Sequence, residues 1–448
     1  MMSLVQTTKV LGGELIGNDA MFTSVSTDTR TLKKGALYFA LKGERFDGHE
    51  FVNAAKQSGA SAAVVSDLNN IDLPQIKVED TRKALGRLAA AWRQHFKGKV
   101  IAITGSNGKT TAKEMIAAIL AKQGDVLATK GNLNNDIGLP LTLLGMEKQN
   151  YAVVELGANH PGEIDYLTHI ANPDVAVITN AGPAHLEGFG SLEGVARAKG
   201  EIYRGLTQSG VAVINADDVF ADFWLKLCKD NKVIRFALEH DAEVKGEWQP
   251  DVTGGVLSIA TKSNNFEVRL NVPGKHNAMN ALAATAACLA AGASIENIQF
   301  ALSEFSPVKG RLNLMAAASG ATIIDDTYNA NPASLKAGLD VLSKLPGEHW
   351  LVLGDMGELG EDARQLHADV AKLALESGID HVYATGENSK ATVKAFGENA
   401  MHFSTQKDLI DFLHSKLHQN LNVLIKGSRF MKMEKVVESL VGNNKQCS

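Results

Sequence analysis

Cysteine is scarce. Cys228, Cys288 and Cys447 are the only three in 448 residues, and none stands close enough in sequence to another to suggest a metal knuckle or a redox pair. That scarcity argues against a disulfide framework and suits a reducing compartment, so a cytoplasmic setting is expected. A dense block of Lys and Arg is also missing, and 45 basic against 50 acidic side chains leave a net charge of -5. Nucleic acid is therefore not an expected partner. No apolar run is long enough to cross a bilayer. The longest, Ala281 to Ala293, is short and rich in alanine, and reads as a buried helix. The opening MMSLVQTTKV contains no apolar segment of the secretory kind, so no membrane insertion is expected. Internal repeats and low-complexity segments are not apparent either.

What is present is ordinary globular material, with 45% hydrophobic and 21% charged residues. At about 150 residues per domain the length predicts two to four domains, and the pattern divides into three. Residues 1–98 mix short β-like runs, GALYFAL at 35–41 and 62–66, with helical stretches and close on an amphipathic helix at 82–96. Residues 99–310 carry buried apolar strands separated by helices, which is the mark of a parallel sheet covered on both faces. A β-rich insertion at 232–272 and an Ala-rich helix at 277–291 complete this unit. Residues 311–448 restart the alternation with strands near 321–326, 350–354, 381–385 and 423–426, which predicts a second, Rossmann-like doubly wound domain. The fold class is thus α/β in three domains, with a cleft expected between the last two.

The sharpest local signal is the apolar strand Val100-Ile-Ala-Ile103 running into Thr104-Gly105-Ser106-Asn107-Gly108-Lys109-Thr110-Thr111 and then a helix. Glycines let the backbone curl so that N–H groups and the helix N-terminus face phosphate oxygens. Lys109 adds a mobile charge, and Thr110 offers a hydroxyl to Mg²⁺. The loop is a shortened variant, since Ile103 stands where the usual spacing has its first glycine. A plain glycine turn would leave Gly-Lys-Thr-Thr at the helix start unexplained. Glu155 closes the apolar strand Tyr151-Ala-Val-Val-Glu155, an expensive place for a carboxylate unless it serves a cation or pairs with an unseen Lys or Arg. His185 follows the strand at 174–180 in a loop at the same sheet edge, where a merely solvated histidine is the plain alternative. By composition, Lys199 sits on a solvated helix face. Asn277 and Asn280, one helical turn apart, can read a base or ribose, although Asn277 serves equally well as a helix cap. In the last unit, Asp326-Thr-Tyr328-Asn329-Ala-Asn331-Pro and Lys426-Gly-Ser428-Arg429 place polar groups just beyond buried strands, at the edge where such sheets bind ligands.

Taken with Ser26-Thr-Asp28-Thr-Arg30, Ala40-Leu-Lys42-Gly-Glu-Arg-Phe-Asp-Gly-His49, Asn132-Leu-Asn134-Asn135-Asp136-Ile-Gly138, Glu155-Leu-Gly-Ala-Asn-His160 and His185-Leu-Glu-Gly-Phe-Gly190, these motifs resemble the Mur ligase family through all three units. The resemblance implies an ATP-dependent, amide-forming ligase of peptidoglycan precursor synthesis that uses Mg²⁺. The Asp-Asn-Pro-Arg signature of the diaminopimelate-adding relative is missing, which implies UDP-N-acetylmuramoyl-tripeptide and D-alanyl-D-alanine as substrates. By the same resemblance Ser26, Asp28, Arg30 and Lys42 hold the uridine end, and Asn134, Asn135 and Asp136 lie beside the peptide-bearing sugar. Residues 105–111 with Asn277, Asn280, Arg311 and Asp326 take ATP. Thr110, Glu155, His185 and Lys199 serve the metal, with Lys199 as a carbamate made from CO2. Tyr328, Asn329, Asn331, Lys426, Ser428 and Arg429 are placed on the substrate side. A monomer is expected. The rival expectations are another ligase of the superfamily, resembling folylpolyglutamate synthase, and a P-loop switch that makes no bond.

Overall fold

The computed structural model describes residues 2–43 and 46–442. Glu44 and Arg45 of the segment at 40–49, and Cys447, lie outside the described residues. Three sheets follow one another along the chain. The first has five strands in the order 14–16, 75–77, 62–65, 36–39, 24–26, parallel except at the first pair. The second has nine, and the third has six in the order 313–316, 322–326, 421–426, 348–354, 381–385, 400–403.

In the second sheet, Lys99–Thr104 lies between Tyr151–Glu155 and Val175–Ile178, all parallel. The register sets Ile103 opposite Glu155 and Thr104 opposite Ile178, so the loops leaving these three strands emerge at one edge. All five residues from Val100 to Thr104 are buried, as a strand covered on both faces requires. The β-rich stretch expected as an insertion proves to extend this sheet. Lys232–Ala237 adds parallel to Val211–Asn215 and Val244–Pro250 adds parallel to Lys232–Ala237, after which Gly255–Thr261 and Asn265–Leu270 follow as antiparallel hairpins whose alternating burial fits a sheet with one solvated face.

The helix Thr81–Arg93, capped by Asp80, ends the first unit in sequence but is bolted to the second. Arg93 donates to the Ala171 and Asn172 carbonyls at 2.9 and 3.0 Å and to Asp174 at 3.0 Å. Trp92 Nε1 donates to the Met146 carbonyl at 2.8 Å. Leu37, Leu85 and Leu88 share one apolar cluster with Val100, Leu143 and Val154, so the first unit keeps only a small core of its own, around Tyr38, Val52 and Val65. The third unit buries separate clusters on the two faces of its sheet. It meets the second along a cleft.

Candidate active site

The phosphate loop takes its shape from two glycines and a set of clamps. Gly105 has φ +149°, and a Cβ there would lie 1.9 Å from Thr179 Oγ1; Gly108 has φ +80°, and a Cβ there would lie 2.2 Å from Asn280 Oδ1. Only glycine fits either position. The loop then delivers Lys109 as the first residue of the helix Lys109–Leu120. Lys109 Nζ donates to the Gly105 carbonyl at 2.6 Å, so the charge is folded back over its own loop. Burial pulls this ammonium below its ordinary value, while nearby Glu155 opposes the fall.

Glu155 is 2% exposed. Its carboxylate accepts from Thr110 Oγ1 at 3.0 Å and from Asn134 Nδ2 at 2.9 Å, which leaves it satisfied by neutral donors; among the described residues no Lys or Arg forms an ion pair with it. Thr110 Oγ1 in turn accepts from Arg311 Nη2 at 3.2 Å, and the Arg311 guanidinium stacks 4.1 Å over the Tyr328 ring. His185 starts a short helical turn with φ +55° and holds its Nδ1 against the carboxylate of Glu358, a residue of the third unit. That proximity pulls the Glu358 carboxyl below its ordinary value.

The solvated face read for Lys199 is overturned, because the residue is 1% exposed and its Nζ lies 5.2 Å from the Phe189 ring. Burial first, and the charge of Lys109 second, bring its pKa from 10.5 down to about 7. Asn277 is not the helix cap either. Gly274 takes that position, and Asn277 Nδ2 donates to the Pro273 carbonyl at 2.7 Å while its Oδ1 accepts from Asn280 at 3.2 Å.

Two cavities occupy the cleft. A larger one, about 1040 Å³, is lined by Asn107, Lys109, Asn134, Asn135, Asp136, Glu155 and His185 from the second unit, by Arg311, Tyr328, Asn329, Asn331 and Arg429 from the third, and by Arg82 from the first. A smaller one, about 360 Å³, shares Asn107, Gly108 and Arg311 with it and is lined further by Asn277, Asn280, Asp326 and Lys426. Lys426 is buried against the Asp326 carboxylate and also donates to the Asn329 carbonyl at 3.0 Å. Ser428 lines neither cavity: it is buried, accepting from Gly357 N at 2.8 Å. Ser26, Asp28, Arg30 and Lys42 also stand outside both cavities. There Arg30 pairs with Asp28 at 2.7 Å and, by hydrogen bonding, lowers that carboxyl to about 2. Lys42 pairs with Asp47 at 3.5 Å on an exposed surface.

Among the described residues no three His, Cys, Asp or Glu side chains gather into a set that could hold an ion alone. The Thr110 hydroxyl and Glu155 carboxylate nonetheless suit Mg²⁺, which keeps waters and binds through one or two carboxylates together with substrate phosphates. Several participants were invisible in sequence. Thr179 and Asn180 clamp the loop, and Glu358 faces His185 from 173 positions further along the chain. The only local sign of Glu358 is its bracketing by Gly357 and Gly360 just beyond a buried strand.

The Mur ligase family catalytic domain matches residues 21–93, the Mur ligase middle domain 103–288, and the Mur ligase glutamate ligase domain 310–429. The chain is 44% identical over 446 residues, 98% of each sequence, to the UDP-N-acetylmuramoyl-tripeptide--D-alanyl-D-alanine ligase of Escherichia coli (strain K12). It is 39% identical over 429 residues, 93% of each, to the enzyme of that name from Bacillus subtilis (strain 168). Its structure is similar to that of MurF from Acinetobacter baumannii, with a TM-score of 0.91, 39% identity and 98% of each chain covered. It is also similar to the MurF ligase of Thermotoga maritima in complex with ADP, with a TM-score of 0.83, 29% identity, and 93% and 96% covered. With matching domains in the same order along almost its whole length, the chain belongs to the Mur ligase family.

Proposed function

We propose that this protein joins D-alanyl-D-alanine to UDP-N-acetylmuramoyl-tripeptide, converting ATP to ADP and phosphate. The observation that carries the reading is the cleft. The phosphate loop and a polar face of the third unit open into one cavity, which is what bringing a phosphorylated acid to an amine requires. The substrate's terminal carboxylate oxygen attacks the γ-phosphorus of ATP, the bond to ADP breaks, and an acyl phosphate forms. The dipeptide amine then attacks the acyl carbon, and the tetrahedral adduct expels phosphate, which takes up the proton the amine loses.

Each residue has a role in this scheme. The loop N–H groups and Lys109 hold the phosphates, and Asn277 and Asn280 face the base side. Lys426, locked to Asp326, moves with it and Arg311 to the nucleotide side. Tyr328, Asn329 and Arg429 face the dipeptide, Asn134 to Asp136 the muramoyl peptide, and Ser26 to Lys42 the uridine end. Thr110, Glu155 and His185 would hold Mg²⁺, which when bound supplies positive charge against the phosphoryl oxygens. Lys199 joins them as a carbamate. At a pKa of about 7 a good part of its amine is unprotonated at neutral pH, and only that form adds to CO2. Closure of the cleft excludes the water that would hydrolyse the acyl phosphate.

We divide the chain at 98/99 and 310/311 and place the reaction in the cytoplasm, carried out by a monomer. No helix among the described residues is long and apolar enough to cross a membrane. Phosphate release is the test. Release from ATP that requires both the muramoyl tripeptide and D-alanyl-D-alanine supports ligation, whereas release indifferent to the dipeptide favours a nucleotide switch.

A further inference from the structure

Asn331 belongs to a motif that suggested a substrate contact, yet its hydrogen bonds run elsewhere. Its Oδ1 accepts from Ser334 N at 2.8 Å and its own N–H donates to Ser334 Oγ at 3.0 Å, capping the helix Pro332–Leu342. The side-chain amide has donors left, and Nδ2 gives one to Asn107 Oδ1 at 2.9 Å, across 224 residues of chain. Asn107 sits at the middle of the phosphate loop. Its backbone is gripped from the opposite side, where its N–H donates to Asn180 Oδ1 at 3.0 Å and its carbonyl accepts from Asn180 Nδ2 at 3.1 Å and from Thr179 Oγ1 at 2.6 Å. Thr179 is itself fixed, its carbonyl accepting from Asn215 Nδ2 at 2.8 Å. One loop residue therefore has its peptide fixed by the central sheet and its side chain fixed by the third unit.

We propose that Asn331 is a positioning residue for the nucleotide, holding the phosphate loop in its binding shape through Asn107 rather than touching substrate. Phosphate is bound by N–H groups that must point inward together, and a loop already ordered gives up less freedom on binding. The peptide planes on either side of Asn107 are set by Asn180 and Thr179, and the Asn331 contact restrains the side chain between them. Coupling of this kind is reciprocal, so nucleotide in the loop also favours docking of the third unit. The inference rests on residues 105–111 holding the nucleotide phosphates.

The test is ADP affinity, measured by calorimetry on the full-length protein without the other substrates. Asn331→Ser keeps a hydroxyl able to cap the helix but is too short to reach Asn107, so the melting temperature should hold. ADP should bind about fivefold more weakly, the worth of one hydrogen bond, with the KM for D-alanyl-D-alanine unchanged. In an Asn107→Ala background the same substitution should cost nothing further. Unchanged ADP affinity with a raised KM for the dipeptide would overturn the proposal and restore the substrate contact. So would a loss that adds in full to that of Asn107→Ala. Should the serine variant melt early, Asn331→Thr, which also caps, supplies the same comparison. Wild-type protein that binds no ADP would overturn both this proposal and the phosphate-loop reading.

Discussion

Replacing Lys199 by methionine should make the protein more stable and far less active. The side chain is 1% exposed, and its pKa lies at about 7 instead of 10.5, chiefly because burial disfavours the charged form. A fall of that size is worth about 5 kcal/mol between the two protonation states. Between about pH 7 and 10.5 the unfolded chain holds a proton that the native chain lacks, so stability rises with pH there, by about 1.4 kcal/mol per pH unit. Below pH 7 both states are protonated and the whole cost stands. Methionine fills a similar volume without the charge. At pH 6, in bicarbonate-free buffer, Lys199→Met should therefore gain stability, by as much as about 5 kcal/mol, and lose this part of the rise with pH. If Lys199 carries the proposed carbamate, turnover should fall by orders of magnitude, since that change would remove an anionic oxygen where phosphate charge must be offset. Urea unfolding at pH 6 and pH 9, paired with phosphate release, reads both effects. A variant no more stable than wild type at pH 6 would exclude a costly buried charge at Lys199, and one that turns over at the wild-type rate would exclude a role for Lys199 in the reaction.

Lys109→Ala should abolish phosphate release while circular dichroism and melting temperature stay near wild type, because its main contact is with its own loop at Gly105; near-normal turnover would remove the phosphate role. Gly108→Ala places a Cβ at φ +80° and 2.2 Å from Asn280 Oδ1, so strain of about 1–3 kcal/mol should appear as weakened ADP binding in calorimetry. Arg93→Ala removes three hydrogen bonds that tie the helix Thr81–Arg93 to the central sheet and should lower unfolding stability by about 2–4 kcal/mol in urea. A fragment of residues 1–98, which would expose Leu85 and Leu88 of the shared cluster, should melt well below the full chain in a thermal scan.

The phosphate loop was legible because everything that makes it is local: an apolar strand, two glycines at strained φ, and a helix start carrying Lys109. Glu155 was legible for a similar reason, since a carboxylate closing an apolar strand calls for compensation, which Thr110 and Asn134 provide. Lys199 was not readable from composition alone. Its helix mixes charged and apolar residues, with Leu192, Val195 and Ala196 at the spacing that puts Lys199 on their buried face, and the Phe189 ring is brought over it by the fold. The resemblance singled it out where composition could not. Contacts such as Asn331 with Asn107 and Glu358 with His185 join segments far apart in sequence, and no spacing rule connects them. The strands Asn313–Ala316 and Ala400–Phe403 are short edge strands with mixed burial, which is too weak a pattern to stand out. The stretch from 232 to 272 reads as an insertion until the parallel pairing of Lys232–Ala237 with Val211–Asn215 shows that it continues the sheet.

Ligation makes one new amide bond, and mass spectrometry looks for that bond itself. The full-length protein is incubated with ATP, Mg²⁺, D-alanyl-D-alanine and UDP-N-acetylmuramoyl-tripeptides carrying either diaminopimelate or lysine at the third position, and the mixture is read by mass spectrometry. A UDP-muramoyl pentapeptide, heavier than one of the tripeptides by the dipeptide less one water, should form in step with ADP and phosphate. ATP consumed with neither tripeptide extended would contradict ligation.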